Sequence, residues 1–205
     1  QRQKDLNETT LKLYQTQLNP HFLYNTLDTI KWEARIRQMP RIAVLAENLA
    51  VILRKSISSK LFIPLKEELE TIDSYVEVQE IRFTGRFLCE KEIPDQLEEC
   101  LVPKMILQPL VENAILHGLE GCENGYICIY AGREGDVLNI SITDNGCGMS
   151  PEILAWINSP EPEKRDGHLG LYNIMRILKL YYGNEYGLKA EVTEDGTTVT
   201  LSLPV

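Results

Sequence analysis

The chain has 205 residues, enough for one or two domains with a proper core. Acidic side chains outnumber basic ones by 30 to 21, and the net charge of −9 argues against direct nucleic-acid binding, since no Lys/Arg-rich run offsets it. The five cysteines are an odd number without C-x-x-C spacing, so neither a disulfide framework nor a zinc site follows from them.

An ATP site stays compatible with the acidic balance, because backbone amides and a metal can hold phosphates. With 43% hydrophobic and 25% charged residues the composition is that of an ordinary globular protein. No apolar run approaches the roughly twenty residues of a membrane span. A chain that opens on Gln1 reads as a fragment of a longer protein.

The first third has helical periodicity. Leu11, Tyr14 and Leu18 form one apolar stripe, Leu23, Leu27, Ile30 and Ala34 a second, and Ile42, Leu45, Leu49 and Ile52 a third. Stripes this narrow predict a helical hairpin or coiled-coil seam. Asn19-Pro20 reads either as an N-cap before a first-turn proline or as a kink in one longer helix. A hairpin of this size buries little alone, so pairing with a second copy into a four-helix bundle is expected.

From Leu61 the texture is mixed. Leu65, Leu69, Ile72, Val76 and Phe83 predict an amphipathic helix, and residues 86–93 alternate as a strand. Residues 105–119 read as helical. Residues 126–131 and 137–143 read as two strands of a hairpin, 169–182 as a helix ending at Gly183, and 197–203 as a closing strand. The predicted fold class is α+β: a helical hairpin over residues 1–60, then an α/β sandwich over 61–205. The segment 158–170, rich in Pro, Gly and charge, reads as a lid, with a hinge predicted around residues 56–63.

Four clusters can carry chemistry. Glu112-Asn113-Ala114-Ile115-Leu116-His117-Gly118 puts Asn113 and His117 on one helical face, where an amide oxygen can bind Mg²⁺ and an imidazole can donate to a phosphate. The same residues also fit a plain polar face closed by Gly118. Asp144-Asn145-Gly146-Cys147-Gly148-Met149 follows a strand, placing a carboxylate at its end beside two glycines; a tight Asn-Gly turn is the simpler reading. Gly167-His168-Leu169-Gly170-Leu171-Tyr172-Asn173 opens a helix whose free amides suit phosphate. In Asn19-Pro20-His21-Phe22-Leu23-Tyr24-Asn25, the His21 imidazole can accept a phosphoryl group, with Asn25 on the same face; a surface or packing histidine is the simpler reading.

Taken in order, these clusters resemble the LytS/YesM-like sensor histidine kinases. Residues 19–25 match the H box, 108–118 the N box, and 144–149 and 170–173 the two glycine boxes. Pro64 to Leu69, Arg82-Phe83 and the ending from Gly196 to Pro204 extend the likeness over nearly the whole chain. The resemblance implies a helical dimerisation and phosphotransfer domain before a Bergerat-type ATP-binding domain. It implies ATP and Mg²⁺, a homodimer, and transfer to an aspartate of a response regulator receiver domain. It also places the chain as the cytoplasmic portion of a bacterial inner-membrane protein, anchored upstream.

Carried over by position, His21 is the phosphoacceptor, Asn113 the Mg²⁺ ligand and Asp144 the adenine contact. Gly146, Gly148 and Met149 with Gly170, Leu171 and Asn173 shape the nucleotide pocket and lid. His117 lies near the phosphates, and Glu112 is the candidate general base. Two departures stand out: Phe22 follows His21 where many histidine kinases carry an acidic residue, and His168 replaces the first glycine of a G-x-G.

Overall fold

A computed structural model describes residues 20–205 except Asp166 and Asp195. The stripe through Leu11, Tyr14 and Leu18, and the capping role of Asn19, lie outside the described residues. The chain divides into two compact units between Ser59 and Lys60.

In the first unit, α1 (Pro20–Ile36) and α2 (Pro40–Ile57) form a helical hairpin. Gln38 turns the chain at a φ of +56°, and Pro40 opens α2 with its fixed φ. The inner seam is built from small residues: Ala34, Ala43, Ala46 and Ala50 are buried, with Asn48 among them. Ile42 and Leu49 of the predicted stripe point outward instead and are exposed, as are Phe22, Ile30, Trp32, Ile36 and Ile57. The hairpin seam is thus made by Ala34 and the alanines of α2, which allow close approach, while Ile42 and Leu49 of the predicted stripe lie off it. Arg35 and Glu47 pair across the hairpin at 3.0 Å.

The second unit holds a short antiparallel pair, β1 (Phe62–Pro64) with β3 (Leu101–Pro103), and a five-stranded sheet. The sheet contains β2 (Phe87–Glu92), β4 (Gly125–Glu134), β5 (Val137–Asp144), β6 (Gly187–Thr193) and β7 (Gly196–Pro204). Its order is β2-β4-β5-β7-β6, antiparallel except for β2 beside β4. Helices α3 (Leu65–Phe83), α4 (Gln108–Asn113), α5 (Pro151–Ile157) and α6 (Leu169–Tyr182) complete it.

The two faces of the sheet differ in chemistry. Leu138, Ile140 and Ile142 of β5, with Val199, Leu201 and Leu203 of β7, form the buried face that α6 covers with Leu171, Ile174 and Leu178. The opposite face carries a polar ladder: Ser141 to Thr200 at 2.9 Å, Thr143 to Thr198 at 3.0 Å and Ser202 to Asn139 at 2.7 Å. This alternation is the signature of an antiparallel sheet covered on one side.

Two boundaries differ from expectation. The helix predicted from residue 105 begins at Gln108, because Met105 takes a φ of +60° that no helix accommodates. It then widens into a π-helical turn over Ala114–Gly118, closed by Leu119 N–H donating to Ala114 O at 2.9 Å. The irregular stretch after α5 ends at His168, since Leu169 and Gly170 already belong to α6. Asn158 ties the start of that stretch to the edge strand, its side chain bonding both the N–H (3.0 Å) and the C=O (2.9 Å) of Ala190.

Candidate functional site

The inward alternation of β5 ends on a charge. Asp144 follows Leu138, Ile140 and Ile142 in the same phase and is 4% exposed. Directly opposite on β7 is Thr197, also buried, whose Oγ1 has no hydrogen-bond partner among the described residues. A carboxylate and an unpaired hydroxyl therefore sit side by side at the end of an apolar sheet face. Burial pushes the Asp144 carboxyl above the usual carboxylate range, opposed by the N–H groups of Gly146 and Thr197. Buried polar groups are normally paired, so an unpaired one beside a costly carboxyl marks a place for a ligand.

Glycines make room around this pair. A Cβ on Gly118 would lie 2.7 Å from the Asp144 Cγ, and one on Gly146 would lie 1.8 Å from the Gly118 carbonyl oxygen. The two backbones are stitched together by Cys147 N–H donating to Gly118 O at 2.9 Å and by Gly146 N–H donating to Asp144 Oδ1 at 3.0 Å. Gly118 is thus a contact glycine and not the helix cap its position suggested. Asn145 anchors the turn from the other side, accepting from Tyr126 N–H at 2.7 Å and donating to Asn124 O at 3.0 Å.

The rest of the predicted set is arranged around α4. Asn113 is half-buried at its C-terminal end, and its side chain makes no hydrogen bond among the described residues. Glu112 beside it is exposed, and its charge helps burial push the Tyr75 hydroxyl of α3 up to about 12. His117 is exposed on the π turn; its carbonyl accepts the Cys147 thiol at 3.4 Å. The His117 ring centroid is 6.3 Å from that of His168, which in turn is 5.9 Å from Trp156 of α5. Burial, then the charges of His117 and Arg165, hold the His168 imidazole below its usual range.

Trp156 also donates to the Glu163 carbonyl at 2.7 Å, so the segment between α5 and α6 is folded back on an aromatic anchor. Gly170 lets α6 start close against α4, since a Cβ there would lie 3.1 Å from the Pro109 Cβ. Gly148 takes a φ of +81°, and Met149 after it is half-buried. Leu171 lies in the core, whereas Asn173 is exposed.

Thr197 is the residue that motif reading passed over. It stands inside the quoted terminal strand, in phase with Val199, Leu201 and Leu203, and a polar residue in an apolar phase was the available signal. His21 belongs to the helical unit, near the start of α1. Asn25 Nδ2 lies 3.2 Å from His21 Nδ1, so the four-residue spacing does bring them together.

Comparison with known proteins gives this arrangement its family. Residues 9–87 match the family described as "Histidine kinase", and residues 101–205 match "Histidine kinase-, DNA gyrase B-, and HSP90-like ATPase". The sensor histidine kinase YesM of Bacillus subtilis is 37% identical over 208 aligned positions, spanning all of this chain. The sensor histidine kinase YpdA of Escherichia coli is 33% identical over 97% of it. The chain spans only about a third of these relatives, 35% of YesM and 34% of YpdA.

Among solved structures, the histidine kinase domain of the Erythrobacter litoralis blue-light activated kinase aligns with a TM-score of 0.55 at 17% identity. That alignment covers 90% of this chain and 93% of that one. The kinase ThkA in complex with the response regulator protein TrrA aligns with a TM-score of 0.52 at 20% identity, covering 99% of this chain and 63% of that one. With its α+β sandwich, its glycine-lined Asp144 and its histidine-bearing hairpin, the chain belongs to the histidine kinases with a histidine kinase-, DNA gyrase B- and HSP90-like ATPase domain.

Proposed function

We propose that the chain is the catalytic portion of a sensor histidine kinase: it binds ATP with Mg²⁺, phosphorylates its own His21, and passes the phosphoryl group to an aspartate on a response regulator. The observation that carries this reading is the buried Asp144 carboxyl beside the unpartnered Thr197 hydroxyl, enclosed by Gly118 and Gly146. An adenine edge offers what they lack, an exocyclic amine that donates and a ring nitrogen that accepts. Asn113, with its free amide, fits Mg²⁺, a cation that takes one or two protein oxygens and completes its shell with water and phosphate. Bound there, the ion would neutralise charge on the phosphates.

The remaining work is positioning. His117, His168 and the free amides at the start of α6 would lie along the phosphates, with Gly148, Met149, Gly170, Leu171 and Asn173 shaping pocket and lid. His21 would attack the γ-phosphorus through Nε2; the bond to the β-phosphate oxygen breaks and ADP leaves. Asn25 holds Nδ1 within 3.2 Å. Its amide nitrogen donates to Nδ1, which orients the ring and places its proton on Nε2, and that proton must leave as the bond to phosphorus forms. Glu112 is the group assigned to take the departing proton.

The helical unit (residues 1–60) would serve dimerisation and phosphotransfer, and residues 61–205 nucleotide binding. The outward Phe22, Trp32, Ile36, Ile42 and Leu49 support pairing with a second copy. Among the described residues no helix is long and apolar enough to cross a membrane. By likeness to the sensor histidine kinases it resembles, anchorage would come from chain upstream, with this portion in the cytoplasm.

Incubation with γ-labelled ATP and Mg²⁺ tests the reading. An acid-labile, alkali-stable label is expected, absent in His21→Gln while nucleotide affinity is kept. An acid-stable label would instead indicate a serine kinase of the same fold. Asn25→Ala is expected to slow labelling about tenfold without altering ATP affinity, a loss of roughly 1.4 kcal/mol in the transfer step. Unchanged labelling would remove Asn25 from the reaction.

A further inference from the structure

One buried acid stands away from the pocket. Glu68 lies on α3, in the apolar phase set by Leu65, Leu69 and Ile72, and is 1% exposed. Among the described residues no Lys or Arg lies at hydrogen-bond distance of its carboxylate, and Lys104 acts on it only through its charge. Its bonds go to backbone: Met105 N–H donates to Oε2 at 2.9 Å and Leu107 N–H donates to Oε1 at 3.0 Å. The amides of Ile106 and Gln108 also face it. These are the residues of the tight turn that launches α4, including Met105 at a φ of +60°. A side chain in that conformation persists only where its surroundings hold it.

The far end of the same segment is held separately, by Cys147 N–H donating to Gly118 O at 2.9 Å. Between the two ties lie Glu112, Asn113 and His117. The first tie fixes where the helix starts, and the second fixes where it meets the Asp144 turn. We propose that Glu68 is a positioning residue for the nucleotide site, whose two-amide grip on the turn before α4 sets Asn113 at the depth required for a divalent cation. The inference rests on reading Asn113 as the Mg²⁺ ligand.

Glutamine at this position has nearly the same shape but presents an NH₂ to one of the two donor amides. Glu68→Gln therefore breaks half the grip and leaves the packing of α3 otherwise alone. The structure also says what this change spares. Asp144 and Thr197 belong to β5 and β7, so the adenine end does not depend on the turn. Burial pushes the Glu68 carboxyl above its usual range, which means an acid is kept here against a cost a neutral side chain would avoid.

The test is calorimetric titration of the full chain with a non-hydrolysable ATP analogue, with and without Mg²⁺. In the natural protein Mg²⁺ is expected to tighten binding at least tenfold. In Glu68→Gln that gain is expected to fall about tenfold, while Mg²⁺-free affinity stays within about threefold. A natural protein without any Mg²⁺ gain overturns the reading of Asn113. A normal gain in both proteins overturns the role of Glu68, and so does an equal loss with and without the metal, which is the mark of general unfolding. If the variant does not fold, hydrogen exchange in the natural protein decides. Binding of the analogue with Mg²⁺ should slow exchange at the Met105 and Leu107 amides, and unchanged protection there overturns the proposal.

Discussion

Gly146→Ala is expected to abolish nucleotide binding and to destabilise the second unit by about 3 kcal/mol, a fall in Tm of roughly 10 °C. The new Cβ would lie 1.8 Å from the Gly118 carbonyl oxygen and 2.2 Å from its carbon, and both are backbone atoms. No rotamer relieves such a contact. One of the two strands of chain must move, and either movement breaks the bond from Cys147 N–H to Gly118 O at 2.9 Å. The same displacement pulls Gly146 N–H from Asp144 Oδ1, taking the carboxyl out of line with Thr197. Differential scanning calorimetry and nucleotide titration check the two effects; a variant that keeps both its Tm and its affinity would refute the close packing of these turns.

Asp144→Asn is expected to separate function from stability. Nucleotide affinity should drop about 100-fold, close to 2.7 kcal/mol, because the buried carboxyl proposed to accept from the adenine amine is replaced by an amide that must also offer a donor. Stability at pH 7 should not drop, and should rise slightly. The sign follows from the raised carboxyl. A group that binds its proton more tightly folded than unfolded contributes most at pH values below its unfolded value, and that contribution is lost as pH rises through the folded value. At neutral pH, above the unfolded value, that contribution is reduced, and keeping the acid in the fold carries a cost that asparagine removes. The advantage of the variant should shrink as the pH falls through the acidic range, and denaturant melts at pH 7 and pH 4 would show it. A variant less stable than the natural protein at pH 7 would mean that the hydrogen bonds to Gly146 and Thr197 outweigh burial.

Much of this site was legible from the residues because its parts are local. The H box, the N box and both glycine boxes are runs of four to eleven residues whose order carries the reading, and the structure sets Gly118 and Gly146 against Asp144 as the glycines imply. What escaped notice depends on the third dimension. Strands β1 and β3 have three residues each, too few for an alternation to register. Strand β6 buries only Leu188 and Ala190, so its pattern is that of an edge with one small inward residue. Helix α5 has seven residues, although Ser150 capping it and Pro151 at its first position were visible signals.

Glu68 and Thr197 share one explanation. Each is a polar residue falling in an apolar phase, at 1% exposure in both cases, and averaging over a stripe discards such exceptions. In the hairpin the difference runs the other way. Large residues drew attention to Ile42 and Leu49, while the actual seam is made by alanines, whose small size is what brings the helices together.

The π-helical turn at Ala114–Gly118 has an evolutionary corollary. It accommodates one more residue than an α-turn of the same span, and the segment carrying it is fastened at Met105 and Leu107 on one side and at Gly118 on the other. Such a segment acts as a gauge block of fixed length. A single-residue deletion or insertion between the fasteners would rotate Asn113 by about a quarter-turn, with no slack to absorb it. The segment between Trp156 and His168, by contrast, has an irregular course in which length changes are cheap. Among relatives of this chain, gaps should therefore gather between α5 and α6 and avoid residues 105–118.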